Sequence, residues 1–417
     1  MATVTSVGSG NYNTGSTWDS GARPGSSDDV VIASGHTVTL AQDENANSLK
    51  SESGSTIVGG GFTITIDGQA LGSAANLDGA VDAGSALNLT ITTAAATVLD
   101  VYPSSGKITN LTINHASCVA TLGAFTSILG NLTITTGELN TDASNNYALT
   151  VTGTTTIGPG SGAADQATLT CNSSTVSLGA LRQQADYAVN IENGGTFTGG
   201  TGTHTFGSLF MSQSATAKAT MTTGQVKVNG YNNSANKAWR VEYGGDTFDN
   251  ANGTVMFQFN GFDSRMSMRS ESHANNAFHN LIIHMNGDTR QISPDNGNKI
   301  IVDNDLTITR GILAMGQNHA LEVSGDVVID DASDTAVLEM GISSNISSQA
   351  ATFGSLTIGN NGTYKATSGT TTLNGTVDVG MRVDGTFTNN DGTFVIAGSI
   401  TKVQMGSIGG APTGFSI

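Results

Sequence analysis

The chain has 417 residues, of which 12% are charged, 54 are glycine and only 5 are proline. Low charge with spaced β-branched residues argues against simple disorder, which usually combines high net charge with low hydrophobicity. With 33 acidic and 16 basic side chains the net charge is −17, and no basic stripe is visible that would neutralise phosphates. Nucleic acid and anionic membrane surfaces are therefore not expected partners.

Residues 1–29 read as an N-terminal cap segment. Its start, Met-Ala-Thr-Val-Thr-Ser, lacks a basic region followed by an apolar core, so no secretory signal is expected. No apolar stretch approaches the roughly 20 residues of a membrane helix, so no membrane insertion is expected either. Trp18 suits a lid over an open sheet end, which must be covered. The first strands follow at Val30-Val-Ile32 and His36-Thr-Val-Thr-Leu40. There Val38 and Leu40 share one face and Thr37 and Thr39 the other, the period of two of a half-buried strand.

From residue 86 onward one phrase returns. Asn88-Leu-Thr-Ile-Thr-Thr93 recurs as Asn110-Leu-Thr-Ile-Asn-His115 and Asn131-Leu-Thr-Ile-Thr-Thr136. Later copies are Asn280-Leu-Ile-Ile-His284, Asp305-Leu-Thr-Ile-Thr-Arg310 and Ser355-Leu-Thr-Ile-Gly359. Repeats of this length mark a solenoid, in which each repeat is one coil and stacking buries the core. The phrase places Leu and Ile inside and Thr outside, and its leading Asn suits an amide ladder at a turn. Roughly 20 residues per coil predicts about 18 coils. Cys118 and Cys171 are expected inside coils as small apolar residues, and a short helical turn is considered within Ser177–Tyr187.

The predicted organisation is coils over 30–229, an atypical segment over 230–300, coils again over 301–404, and a Gly-rich cap or tail over 405–417. The segment 230–300 gathers Trp239, Arg240, Tyr243, Phe248, Phe257, Phe259, Phe262, Arg265, Arg269, Phe278 and Arg290. It reads as elaborated coils, a lateral loop or a subunit contact. Beyond it, Asp305–Leu313 repeats Asn131–Leu139 at six of nine positions, which predicts one architecture on both sides.

The opening Trp18…Pro24…Asp28-Asp29-Val-Val-Ile…Gly35-His-Thr-Val-Thr-Leu40, followed by Ser48-Leu49 and Gly54-Ser-Thr-Ile57, resembles the start of right-handed parallel β-helix proteins. Such openings occur in bacteriophage structural proteins and in bacterial surface proteins. The resemblance implies an all-β fold, a right-handed parallel β-helix. It implies a spike, fibre or capsid decoration protein in a virion, in contact with other virion proteins and host surface carbohydrate, and often a homotrimer. An extracellular or cell-surface adhesin is the alternative location and role.

Parallel β-helices also host glycosidases, which need two carboxylates about 5–9.5 Å apart. The acids of the atypical segment are Glu242, Asp246, Asp249, Asp263 and Glu271. Asp263 beside Arg265 and Glu271 beside His273 are the most groove-like pairs, so Asp263 and Glu271 are the candidate catalytic residues if the chain is a tailspike-type enzyme. The primary expectation is no enzyme and no cofactor. His273, His279 and His284 match no compact zinc spacing. The oxygen-rich turns Asp295–Asn298 and Asp330–Asp334 lack a full calcium loop with its terminal Glu. Since Trp, Tyr and Arg dominate interface hot spots, Arg240, Tyr243, Arg265 and Arg269 are the candidate partner-binding residues. The other rings are expected to fill a widened interior.

Overall fold

The structure, a computed structural model, describes all residues except 1, 69–74, 83–84, 102–107, 161–165, 180–182, 185, 233, 242–246, 259–262, 269–276, 286, 288–289, 296–298, 317, 331–333, 343–344, 401 and 406–417. It is an all-β chain, 54% strand, wound as a parallel β-solenoid of about 14 turns. The helical element among the described residues is one 3-10 turn, Gly15–Thr17. At Ser177–Tyr187, Ser177, Leu178 and Gln183–Gln184 are strand, and 180–182 and 185, between and beside them, where the helical turn considered there would fall, lie outside the described residues.

The expected 18 coils are also corrected. Val30 pairs with Leu49 after a short step along the chain, whereas Thr155 pairs with Val189 after a far longer one. Only the inward strand positions must repeat for a coil to stack. The corners between them absorb extra residues, so a period taken from the shortest coils overestimates their number.

The chain divides into two compact units. The first comprises Met1–Ala180, Ala188–His204 and Ser214–Thr220, the second Leu181–Tyr187, Thr205–Gln213 and Met221–Ile417.

In the first unit, the phrase strand Asn88–Ile91 alternates half-buried and buried residues. Its Ile joins a column Ile66, Ile91, Ile113, Ile134, Ile157, Ile191, each registered on the next coil. All six are fully buried, each contributing about 1.5–3 kcal/mol of burial. The leading amides form the expected ladder. Asn110 Nδ2 donates to Asn88 Oδ1 at 2.8 Å, Asn131 N donates to Asn110 Oδ1 at 2.8 Å, and Thr154 N donates to Asn131 Oδ1 at 2.9 Å. Cys118 and Cys171 are free and buried, and burial pushes the Cys118 thiol up to about 11, as suits inert interior thiols. Trp18 is buried in the cap as expected. Its Nε1 donates to the Tyr12 carbonyl at 2.7 Å, and the Tyr12 ring meets it edge-on at 5.2 Å.

In the second unit the core column runs Val226, Val255, Leu281, Leu306, Val327, Leu356, Met381. A ladder recurs with carboxylates in place of amides. Asp326 N donates to Asp305 Oδ1 at 2.8 Å, and Ser355 Oγ donates to Asp326 Oδ1 at 2.6 Å. The matched nonapeptides make the same device in their respective units. Strands Leu132–Asn140 and Leu306–Ala314 each turn a corner at a glycine, Gly137 with φ +87° and Gly311 with φ +82°. A Cβ there would sit 2.4 Å from the His115 carbonyl oxygen or 2.5 Å from Met285 Cβ, so both conformation and space demand glycine.

Candidate functional site

The described strands of 230–300 are coils. Lys237–Val241 pairs in parallel with Ser264–Met268, which pairs with Gln291–Pro294. Thr254–Phe257 pairs in parallel with Asn280–His284. One lateral feature departs from this pattern: Tyr231–Asn232 pairs in parallel with Gln183–Gln184 and antiparallel with Lys237 through Asn232.

Four of the described rings fill the interior. Trp239 and Phe257 are fully buried, Phe278 is 1% exposed and Phe248 2%. The Trp239 ring centroid lies 6.3 Å from Phe248, 6.3 Å from Phe257 and 5.8 Å from Phe278. The two perpendicular arrangements are the edge-to-face packing that aromatic quadrupoles favour. The widened coils are thus an aromatic core in place of the Leu and Ile of the regular ones.

Arg240 lies on the outward side of its strand, half-buried. Its guanidinium carbon sits 5.3 Å from the centroid of Phe210, its register partner on the paired strand, and Phe210 stacks on Tyr187 at 5.4 Å. This is a cation–π contact within the chain.

Arg265 engages Asp295, with Nη1 3.3 Å from Oδ1, while Lys237 Nζ lies 2.5 Å from Asp295 Oδ2. The Asp295 side chain is 5% exposed and Lys237 14%, whereas Arg265 is 52% exposed. Register explains the trio: Lys237 lies against Arg265, and Arg265 against Ser293, just before the acid. Asp295, which opens an oxygen-rich turn in the sequence, neutralises two stacked cations. The rest of that turn, 296–298, lies outside the described residues.

Asp263 is exposed, and its Oδ1 accepts from the Gln291 backbone N–H at 3.0 Å. It does not hold Arg265, whose ion pair is with Asp295. Glu271, the second candidate carboxylate, lies outside the described residues, as do Tyr243, Arg269, Glu242, Asp246 and His273. His284 Nδ1 is 2.8 Å from Thr309 Oγ1, and His279 is half-buried just before the strand Asn280–His284. Among the described residues no group of three or more His, Cys, Asp or Glu is placed to hold a metal ion.

The cross-coil partners are what sequence reading misses. Phe210 and Arg240 stand one local coil apart, as do Lys237 and Arg265. Comparing positions at that local coil length, which exceeds the spacing of the phrase copies, would find such pairs. The chain matches no family model, no curated protein and no solved structure.

Proposed function

We propose that this chain is a non-enzymatic structural protein of a virus particle, a bacteriophage spike, fibre or capsid decoration protein, presenting a β-solenoid for attachment or display. It works alongside other virion proteins as a homo-oligomer, a trimer, with host surface carbohydrate as the external contact. The observation that carries the scaffold role is the build of the segment most suited to chemistry. Among its described residues, Trp239, Phe248, Phe257 and Phe278 pack inward, and Arg240 and Arg265 engage neighbouring coils. These interactions stiffen a stack. Asp263, the described member of the two candidate carboxylates, is exposed and tied to a backbone amide. The placement on a phage rests on the resemblance of the opening over residues 18–57.

Two experiments test this reading. Immunogold labelling of purified particles should decorate them at a defined position. Depolymerisation of host surface polysaccharide by the purified chain should be at background. Turnover that disappears in Asp263→Asn would overturn the non-enzymatic reading, and unlabelled particles would overturn the structural one.

A further inference from the structure

Residues 19–27 form a strap on the first unit, between buried Trp18 and the strand Asp29–Ile32. Within the strap only Pro24 is buried. Its ends are tied by backbone hydrogen bonds, Asp19 N to the Thr5 carbonyl at one side and Asn47 N to the Asp28 carbonyl at the other. Its middle is tied through Arg23, by an ion pair and by an amide contact. Arg23 Nε lies 2.9 Å and Nη2 2.5 Å from Glu44 Oε2. The Gln42 carboxamide oxygen, with the amide turned to satisfy both its ends, accepts from the same guanidinium at 2.9 and 3.0 Å. Under the strap is an open cleft of about 310 Å³ lined by Arg23, Pro24, Gly25, Ser26 and Asn45.

The two partners differ in surroundings. Arg23 is 42% exposed, whereas the Glu44 side chain is fully buried and its Oε1 has no hydrogen-bond partner. Facing Glu44 are Arg23 from the strap, Asp43 beside it and Tyr12 from the cap, with Asp28 near Tyr12. The strand Thr63–Ile66, which pairs with Glu44–Ala46, carries no titratable side chain.

We propose that the Arg23–Glu44 pair is an acid-released latch: a proton on Glu44 frees Arg23, and the strap 19–27 lifts from the cleft while the coil beneath stays folded. The asymmetry of burial is what makes it a latch. A neutral carboxyl suits the buried site better than a half-satisfied carboxylate, and the released guanidinium already reaches water. Burial raises the Glu44 carboxyl above its ordinary range and Arg23 supplies the contacts that lower it, so with the carboxyl still held in the coil the loss of Arg23 raises it further, and protonation favours the released strap. The sign agrees with the coil staying folded. A carboxyl whose folded pKa is raised favours the folded state more as pH falls, not less.

The test is a nitroxide label on Ser27→Cys, an exposed strap position, in the full chain whose native thiols are buried. Spin-label mobility is read between about pH 7.5 and about pH 4, spanning the carboxylate range, with circular dichroism confirming the fold. The latch predicts that mobility rises on acidification with a midpoint above 4.5, the ordinary glutamate value. Glu44→Gln should be mobile throughout and lose the pH dependence. Arg23→Ala, which alters only the exposed partner, should do the same and covers the case in which Glu44→Gln fails to fold. Flat mobility in the parent, or a strap that stays immobile at neutral pH in both variants, would overturn the proposal.

Discussion

Replacing Trp239 with alanine distinguishes an inward aromatic core from a partner-facing patch. Trp239 is fully buried against Phe248, Phe257 and Phe278. An aromatic side chain buries about 150–250 Å², which at about 25 cal/mol per Å² is about 4–6 kcal/mol. Measured Trp or Phe to Ala changes in cores run about 3–5 kcal/mol, so a loss near 4 kcal/mol is expected. Because solenoid stability is a sum of coil and nearest-neighbour terms, the loss should be local. Hydrogen exchange should accelerate in Thr254–Phe257 and Asn280–His284 and stay unchanged in Leu132–Asn140. Trp239→Phe should cost less than half as much, since Trp239 Nε1 has no hydrogen-bond partner to lose. Urea unfolding with site-resolved exchange measures both. A Trp239→Ala protein within about 0.5 kcal/mol of the parent would refute the inward reading of this segment.

Three further outcomes follow from the same geometry. Asp295→Asn should destabilise by about 1–3 kcal/mol, because it removes the charge of a nearly buried carboxylate that faces both Lys237 and Arg265, whereas Arg265→Gln, at a half-exposed partner, should cost under about 1 kcal/mol; chemical denaturation of the pair of variants compares them. Asn110→Ala removes a ladder amide that donates to Asn88 and accepts from Asn131, and a stability lowered by about 1–3 kcal/mol is expected in urea unfolding, with no effect if the ladder is ornamental. His204 is fully buried with Nε2 2.7 Å from the Gly199 carbonyl, and burial holds its imidazole below the ordinary value. The unfolded chain therefore takes up the proton first: stability is complete above about pH 6.5 and declines as pH falls below it, and His204→Gln should flatten that part of the stability profile.

The phrase makes the regular coils readable because it states the rule that stacking enforces: apolar at every second position and an amide at the corner. Leu89, Leu111 and Leu132 stack in the order the spacing implies. The corner glycines are also legible, since Gly137 and Gly311 sit at the same place in two matched nonapeptides. Coil length is not, because corners tolerate insertion without disturbing the core, as the long step from Thr155 to its partner Val189 shows. The candidate site is obscured for a related reason. Arg265 looks like a partner for Asp263, its near neighbour in sequence, because local spacing is all a linear reading offers. In a solenoid the nearer neighbour of an outward side chain is one coil on, where Asp295 stands. Aromatic residues in a strand leave the choice of face open until their neighbours' burial is known, and only its surroundings assign Trp239 to the interior.

Membership of a virus particle, the role proposed for this solenoid, can be measured directly. The most direct measurement is quantitative mass spectrometry of density-purified particles, with the copy number of this chain counted against the major capsid protein. A virion component should yield peptides spanning the chain at a fixed stoichiometry that survives repeated purification, in multiples of three. Recovery of the chain only in the particle-free supernatant, or at a level that falls with each purification step, would contradict it.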